Sequence, residues 1–347
     1  MIRAVAGTLL WLAACGVALA DEPQVELAFP ADRATVGAPD ARGFIAGRAT
    51  SAEARELDVV LAIDTSDSVS EVSSDGRRDS NLVGEVRAAR AFVAALDLRT
   101  TRAGIVSFAG DVDPVTPDAY TEVPLTGDPA ALEHALHRLE RSSGKGMTNL
   151  VSAIDLATIE LVGTAHAKST PRAGARRVII VLTDEEGPTL PVDNGAWRNA
   201  TLAIQQAERS AKLGVRIDVY AFGALPAEKR VVGAELAKAS GGVFVPVARA
   251  ADLAGALSAA NLSGVEKLEI TNRTTGQPAS VVLRRPDGFF AALVPLRVGE
   301  NAVEVRGPPA GERTLNLTYD GSASDDLPVD LRALRSALLG TVTVKEP

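Results

Sequence analysis

From Leu57 to about residue 260 the chain alternates between short runs of consecutive apolar residues and longer stretches in which apolar residues recur every three or four positions. The runs are 57–63, 103–108, 177–183, 215–222 and 243–247, and they predict strands. The periodic, Ala-rich stretches lie near 82–97, 129–141, 148–163, 197–213, 229–239 and 250–259, and they predict helices. In 129–141, for example, Leu132, Leu136 and Leu139 define one apolar face. Strands that are apolar without alternation are buried on both faces. This part therefore predicts an α/β fold, a doubly wound and mostly parallel sheet flanked by helices. In such sheets ligands bind beyond the carboxyl ends of the strands.

The pattern differs on either side. Val25–Phe29 and Gly43–Gly47 are short and β-like, with Pro and Gly between them. After about Val265, the segments 268–270, 280–283, 289–294, 301–305, 314–319 and 341–344 are short strand candidates separated by Gly, Pro and Asn turns. They predict a smaller antiparallel β-sandwich of Ig-like type. Residues 21–55 are expected to add strands to that sandwich, the alternative being a separate N-terminal arm. The expected organisation is an N-terminal β segment over 21–55, an α/β domain over 56–260 and a sandwich domain over 263–347. The stretch 327–340 reads as partly helical and has no assigned place.

Composition alters this picture mainly at the start of the chain. The 347 residues suffice for two domains, and 46% hydrophobic with 23% charged residues is a globular composition. A net charge of −8 repels phosphate backbones and argues against a nucleic-acid role. Residues 1–20 carry Arg3, then an apolar run, then Ala18-Leu19-Ala20 before Asp21. This is the pattern of a signal peptide cleaved after Ala20. Leu12-Ala13-Ala14-Cys15 offers an alternative, a lipobox that makes Cys15 a lipid-anchored N-terminus. No later stretch is long and apolar enough to span a bilayer. The expected location is outside the cytoplasm of a bacterium: periplasmic, attached to the outer membrane as a lipoprotein, or extracellular. Cys15 is the single cysteine, so after cleavage at Ala20 stability rests on packing without disulfides. Asn-x-Ser/Thr triplets at Asn199, Asn261, Asn272 and Asn316 matter only in a eukaryotic secretory path and are read as chance.

The candidate chemistry lies where the first apolar run ends. Asp64-Thr65-Ser66-Asp67-Ser68 places a carboxylate and two serine hydroxyls on the loop leaving a buried strand. Short oxygen ligands at this spacing suit a hard divalent cation such as Mg²⁺. Downstream, Gly146-Met147-Thr148-Asn149-Leu150 sets a threonine at a helix start, and Val178–Asp184 ends a second apolar strand on an aspartate. Singly, such residues more often cap helices or end strands. As an ordered set they resemble the metal-ion-dependent adhesion site of von Willebrand factor A (VWA) domains, over roughly residues 56–260. The resemblance implies that Ser66, Ser68 and Thr148 bind Mg²⁺ or Mn²⁺ directly and that Asp64 and Asp184 act mainly through water. It implies also an open coordination position for an Asp or Glu carboxylate of a protein partner. Two departures concern the partner. Asp67 stands between the serines where the family often has Gly, and Glu185-Glu186 follow Asp184 where Gly is frequent. Added carboxylates favour the cation and oppose an acidic ligand.

Other candidates carry less. Ser74–Ser80 resembles a weak second cation loop through Asp75, Gly76 and Asp79, but lacks full calcium-loop spacing. His134 and His137 are one helical turn apart without a third zinc ligand, and His166 lies in a polar loop. Ser143–Gly146 lacks phosphate-loop spacing, and no Ser-His-Asp order or nucleophile elbow is present. The expected function is a non-enzymatic, cation-dependent protein-binding module. The alternatives are an envelope structural protein stiffened by the cation, or a metal-dependent hydrolase.

Overall fold

The computed structural model describes residues 24–54, 56–70, 80–110, 115–142, 146–184, 194–223, 231–323, 327–328, 331–332, 334–336 and 338. Three strands come first: β1 (Gln24–Phe29), β2 (Ala34–Val36) and β3 (Arg42–Thr50). The α/β part follows, with β4 (Leu57–Asp64), α1 (Asn81–Ala94), β5 (Thr101–Phe108), β6 (Ala119–Thr126), α2 (Pro129–Glu140) and α3 (Leu150–Val162). It continues with β7 (Arg176–Thr183), α4 (Asn194–Lys212), β8 (Val215–Phe222), α5 (Val231–Ser240), β9 (Phe244–Val247) and α6 (Leu253–Ser258). Six further strands close the described fold: β10 (Glu269–Asn272), β11 (Gln277–Pro278), β12 (Val281–Arg284), β13 (Phe289–Pro295), β14 (Gly299–Arg306) and β15 (Glu312–Tyr319).

The α/β part is one six-stranded sheet in the order β6-β5-β4-β7-β8-β9. All neighbours are parallel except β6, which runs antiparallel to β5. The central strand β4 is buried at all eight positions. Successive side chains point to opposite faces, so an unbroken apolar run serves two cores. Leu57, Val59, Leu61 and Ile63 pack with Leu82, Val86 and Phe92 of α1, Leu132 and Leu136 of α2, and Leu253 and Leu257 of α6. Val60 and Ala62 face Ile154 and Leu161 of α3, Ala203 and Ala207 of α4, and Leu236 of α5. The helices start where short polar side chains can accept backbone N–H groups. Ser80 caps α1 through Val83 N–H, and Asp128 caps α2 ahead of Pro129. Gly163 ends α3 at φ 77°, a conformation that a side chain disfavours.

The remaining strands form two sheets, β1-β3-β13-β12 and β11-β10-β14-β15-β2. Val25, Ile45, Phe290 and Val294 of the first interlock with Ile270, Val303, Leu315 and Leu317 of the second, which is sandwich packing. One pairing departs from the antiparallel expectation. β2 runs parallel to β15, because it reaches that edge from a distant part of the chain rather than through a hairpin. The outer face of the first sheet, at Phe44, Ala46, Ala291 and Leu293, is covered by Leu327, Leu331, Leu334 and Leu338, which gives the unplaced C-terminal stretch its position. The strand expected at 341–344 lies outside the described residues. So do residues 1–20, the expected leader with Cys15, and Asp75, Gly76 and Asp79 of the expected second cation loop. Among the described residues no helix is long and apolar enough to cross a membrane.

The chain leaves the β-sandwich at Thr50, enters β4 at Leu57, and returns from α6 to β10 at Glu269. The outgoing and returning segments lie side by side, with Ser51 N–H donating to Ser263 O at 2.8 Å. Asp287 Oδ2 accepts from Asp97 N–H at 2.7 Å, and Arg48 donates to Asp287 O at 3.2 Å and to Thr100 Oγ1.

Candidate functional site

Asp64 is the last residue of β4 and is fully buried. Its Oδ1 accepts from Ser66 N–H at 2.9 Å, which turns the chain back over the strand end. Its Oδ2 accepts from Thr183 Oγ1 at 2.6 Å, which ties β4 to the end of β7. Thr65 fastens the loop to β5, donating to Phe108 O from its N–H at 2.7 Å and its hydroxyl at 2.9 Å. With the backbone held on both sides, Ser66 and Ser68 face each other, Oγ to Oγ at 3.1 Å.

Two other segments complete the cluster. Thr148 Oγ1 donates to Ser66 Oγ at 3.2 Å, and Ser68 Oγ donates to Asp184 Oδ1 at 2.9 Å. Thr148 sits two residues ahead of α3 rather than in its first turn. Asn149 takes the capping position instead, accepting from Ser152 N–H at 3.1 Å. The Thr148 loop is held by Asp67 N–H donating to Gly146 O at 2.9 Å and Met147 N–H donating to Gly110 O at 2.7 Å. Asp64, Ser66, Ser68, Thr148 and Asp184 thus come together beyond the carboxyl ends of β4 and β7. Ser66 and Asp184 are buried, Ser68 and Thr148 are half-buried, and Asp67 is exposed. Met147, beside Thr148, is 67% exposed. Glu185 and Glu186 lie outside the described residues.

The sequence pattern did not single out Thr183 or Glu85. Glu85 is on the buried stripe of α1 among Leu82, Val86, Ala89 and Phe92, and it is fully buried. The signal was a carboxylate at a position whose helical spacing calls for an apolar residue. Burial pushes its carboxyl well above the usual range. The Asp64 and Asp184 carboxylates push it further, and the Asp64 backbone offsets this only slightly. The Asp64 carboxyl is also raised by burial, against the lowering effect of its bonds from Thr183 and Ser66.

Other buried acids of the same sheet are neutralised differently. Asp58, at the opposite end of β4, accepts from Arg172 Nη2 at 2.7 Å and Arg172 Nε at 3.0 Å. Asp218 in β8 accepts from Arg216 at 2.7 and 2.9 Å. Asp64 is held by hydroxyls and backbone. His134 and His137 are both exposed on α2, as the sequence suggested for a surface face, and His166 is exposed as well. Among the described residues no three His, Cys, Asp or Glu side chains group so as to hold a metal ion.

Residues 59–187 match the sequence profile of the von Willebrand factor type A domain. No curated protein sequence matches the chain significantly. Among solved structures, a von Willebrand factor type A protein from Catenulispora acidiphila is 17% identical, covering 91% of this chain and 80% of its own, with a TM-score of 0.41. The pilus adhesin SpaC from Lactobacillus rhamnosus GG is 11% identical over 85% of this chain and 48% of its own, with a TM-score of 0.48. The manganese-loaded TRAP protein of Plasmodium vivax is 12% identical over 82% of this chain and 100% of its own, with a TM-score of 0.41. The profile match runs from β4 through β7 and takes in Asp64, Ser66, Ser68, Thr148 and Asp184, and the α/β unit that these strands begin is a von Willebrand factor type A domain.

Proposed function

We propose that this chain is an exported, non-catalytic binding module. In this reading Ser66, Ser68 and Thr148 hold Mg²⁺ or Mn²⁺ directly, Asp64 and Asp184 hold it mainly through water, and a protein ligand is recognised at that site. One observation carries the reading. Three hydroxyls and two carboxylates from three separate segments form one hydrogen-bonded cluster at the carboxyl end of the sheet. Clustered neutral hydroxyls backed by carboxylates fit a hard cation, which takes oxygen donors in this number. Bound there, the cation supplies a Lewis-acidic position for a partner's Asp or Glu carboxylate.

The chain's own residues set the terms of that recognition. Hydroxyl donors leave the cation's charge largely uncompensated. Thr183 and the Ser66 N–H fix Asp64, so the donors are positioned before a ligand arrives. Exposed Met147 offers an apolar contact beside the charged one, a pairing found at protein interfaces. Exposed Asp67 places a negative charge at the rim and selects against ligands with several acidic residues. The leader-like residues 1–20 support export, by signal-peptide cleavage after Ala20 or by lipid anchoring at Cys15.

Affinity capture from envelope extract tests the proposal, with the protein as bait in Mg²⁺, in EDTA, and as the Asp64→Ala variant. A protein retained only by the unaltered bait in Mg²⁺ is the expected result. Equal capture in all three lanes removes the cation from recognition and leaves it at most a stiffener of the loops.

A further inference from the structure

Among the described residues, the buried acids are matched to partners almost without exception. Asp58 has Arg172 and Asp218 has Arg216. Glu160 accepts from Thr121 Oγ1 at 2.7 Å and from Ser169 N–H at 2.8 Å. Asp287 accepts from Asp97 and Phe289 N–H groups at 2.7 and 3.1 Å. Glu85 is different. It is fully buried, and neither of its carboxylate oxygens makes a well-formed hydrogen bond among the described residues, the Asp64 backbone reaching it only weakly. It stands in α1, on the face packed against β4 and the Ser68–Ser70 turn, and its charged neighbours are Asp64 and Asp184.

A buried carboxylate without donors is unfavourable, and setting it beside further carboxylates makes it worse. An apolar residue on this stripe would pack at no such cost. The arrangement is electrostatically reasonable when the carboxyl holds a proton or when positive charge is close by, and the hydroxyl cluster across Asp64 is where the proposed cation sits. We propose that Glu85 is the buried counter-charge of that cation, a positioning residue that binds no metal itself but strengthens the hold of Ser66, Ser68 and Thr148 on a divalent ion from behind Asp64.

The inference rests on the cation-binding reading above and assigns a further residue to that site. Glu85 is not a ligand in this scheme, because it stands on the buried face of α1 and, among the described residues, no three acids form a group of their own around a metal. It acts through space, in an interior where charges are weakly screened by salt. The ligand set can then consist mostly of neutral hydroxyls and still attract a divalent ion. The charge that attracts the ion is kept away from the open coordination position, where it would repel a partner's carboxylate.

Calorimetric titration of Mn²⁺ and Mg²⁺ into the full-length protein, the Glu85→Gln variant and the Glu85→Asp variant tests this. Glu85→Gln keeps the shape and removes the charge, so it is expected to weaken Mn²⁺ binding by about tenfold or more. The loss should be similar at low and high salt, and Glu85→Asp should recover most of it. The metal-free Glu85→Gln protein should melt no lower than the unaltered one, whereas a purely structural role lowers the melting point without changing affinity. If Glu85→Gln fails to fold, Glu85→Met serves the same comparison. Binding by the neutral variant within twofold of the unaltered protein overturns the role of Glu85 and leaves the cation site standing. Absence of Mn²⁺ and Mg²⁺ binding by the unaltered protein overturns both.

Discussion

At the scale of single residues, Asp64 and Glu85 show how differently one environment treats two carboxyls. Both are raised by burial, but Asp64 recovers part of the loss through Thr183 and Ser66, whereas Glu85 meets two more negative charges. For the metal-free protein this fixes a sign. A carboxyl with a raised folded pKa binds its proton more tightly folded than unfolded. Its penalty is absent below the unfolded value of 4.5 and grows as pH rises from there toward the folded value. In EDTA, the protein is therefore expected to lose stability relative to Glu85→Gln as pH rises through that window, by about 1.4 kcal/mol per pH unit. Chemical denaturation of both proteins across pH 4–8 checks this, and a constant difference between them would contradict it. The five residues brought together at the carboxyl end of the sheet were legible because two of the segments end apolar strands, the third precedes a helix, and together they resemble the VWA adhesion site. Glu85 and Thr183 were not. Each is a polar residue inside an apolar stretch, and its meaning depends on what lies across the sheet.

At the scale of elements, β4 carries the contrast between the two ends of the sheet. Its start holds Asp58 with Arg172, which also donates to Leu57 O at 2.7 Å and Thr100 O at 3.1 Å. Its end holds Asp64, which among the described residues is held by Thr183 and the Ser66 N–H and not by a guanidinium. Arg172→Met leaves Asp58 buried and unpaired, and is expected to cost about 3–5 kcal/mol in a denaturant titration. Mn²⁺ affinity should be unchanged, since Asp64 lies six residues further along β4. A matching loss of affinity would mean that the two ends of β4 are not independent. The central strands were plain in the sequence because burial on both faces leaves an unbroken apolar run. β6 was not, because an edge strand with Tyr120, Thr121, Glu122 and Pro124 has no such run and pairs only with β5. β2 was equally obscure: three residues whose partner, β15, lies far along the chain.

At the scale of the whole molecule, the sandwich and the VWA domain meet where Asp287 holds the Asp97 N–H just past α1 and Arg48 of β3 donates to Thr100 Oγ1. Asp287→Ala removes the carboxylate that accepts from the Asp97 and Phe289 N–H groups, and is expected to destabilise by about 1–3 kcal/mol. Differential scanning calorimetry is expected to show one transition for the unaltered protein and two partly separated ones for the variant. A single, merely shifted peak would show that the two parts are coupled by other contacts. The two-strand crossing at Ser51 and Ser263 has a mechanical consequence. A pull between a ligand at Ser66–Ser68 and the sandwich runs straight down β4, from Asp64 to Leu57 and on into β3. β4 is flanked in parallel by β5 and β7 along nearly its whole length, so its ladder bonds lie across the load and must yield together in shear rather than unzip one at a time.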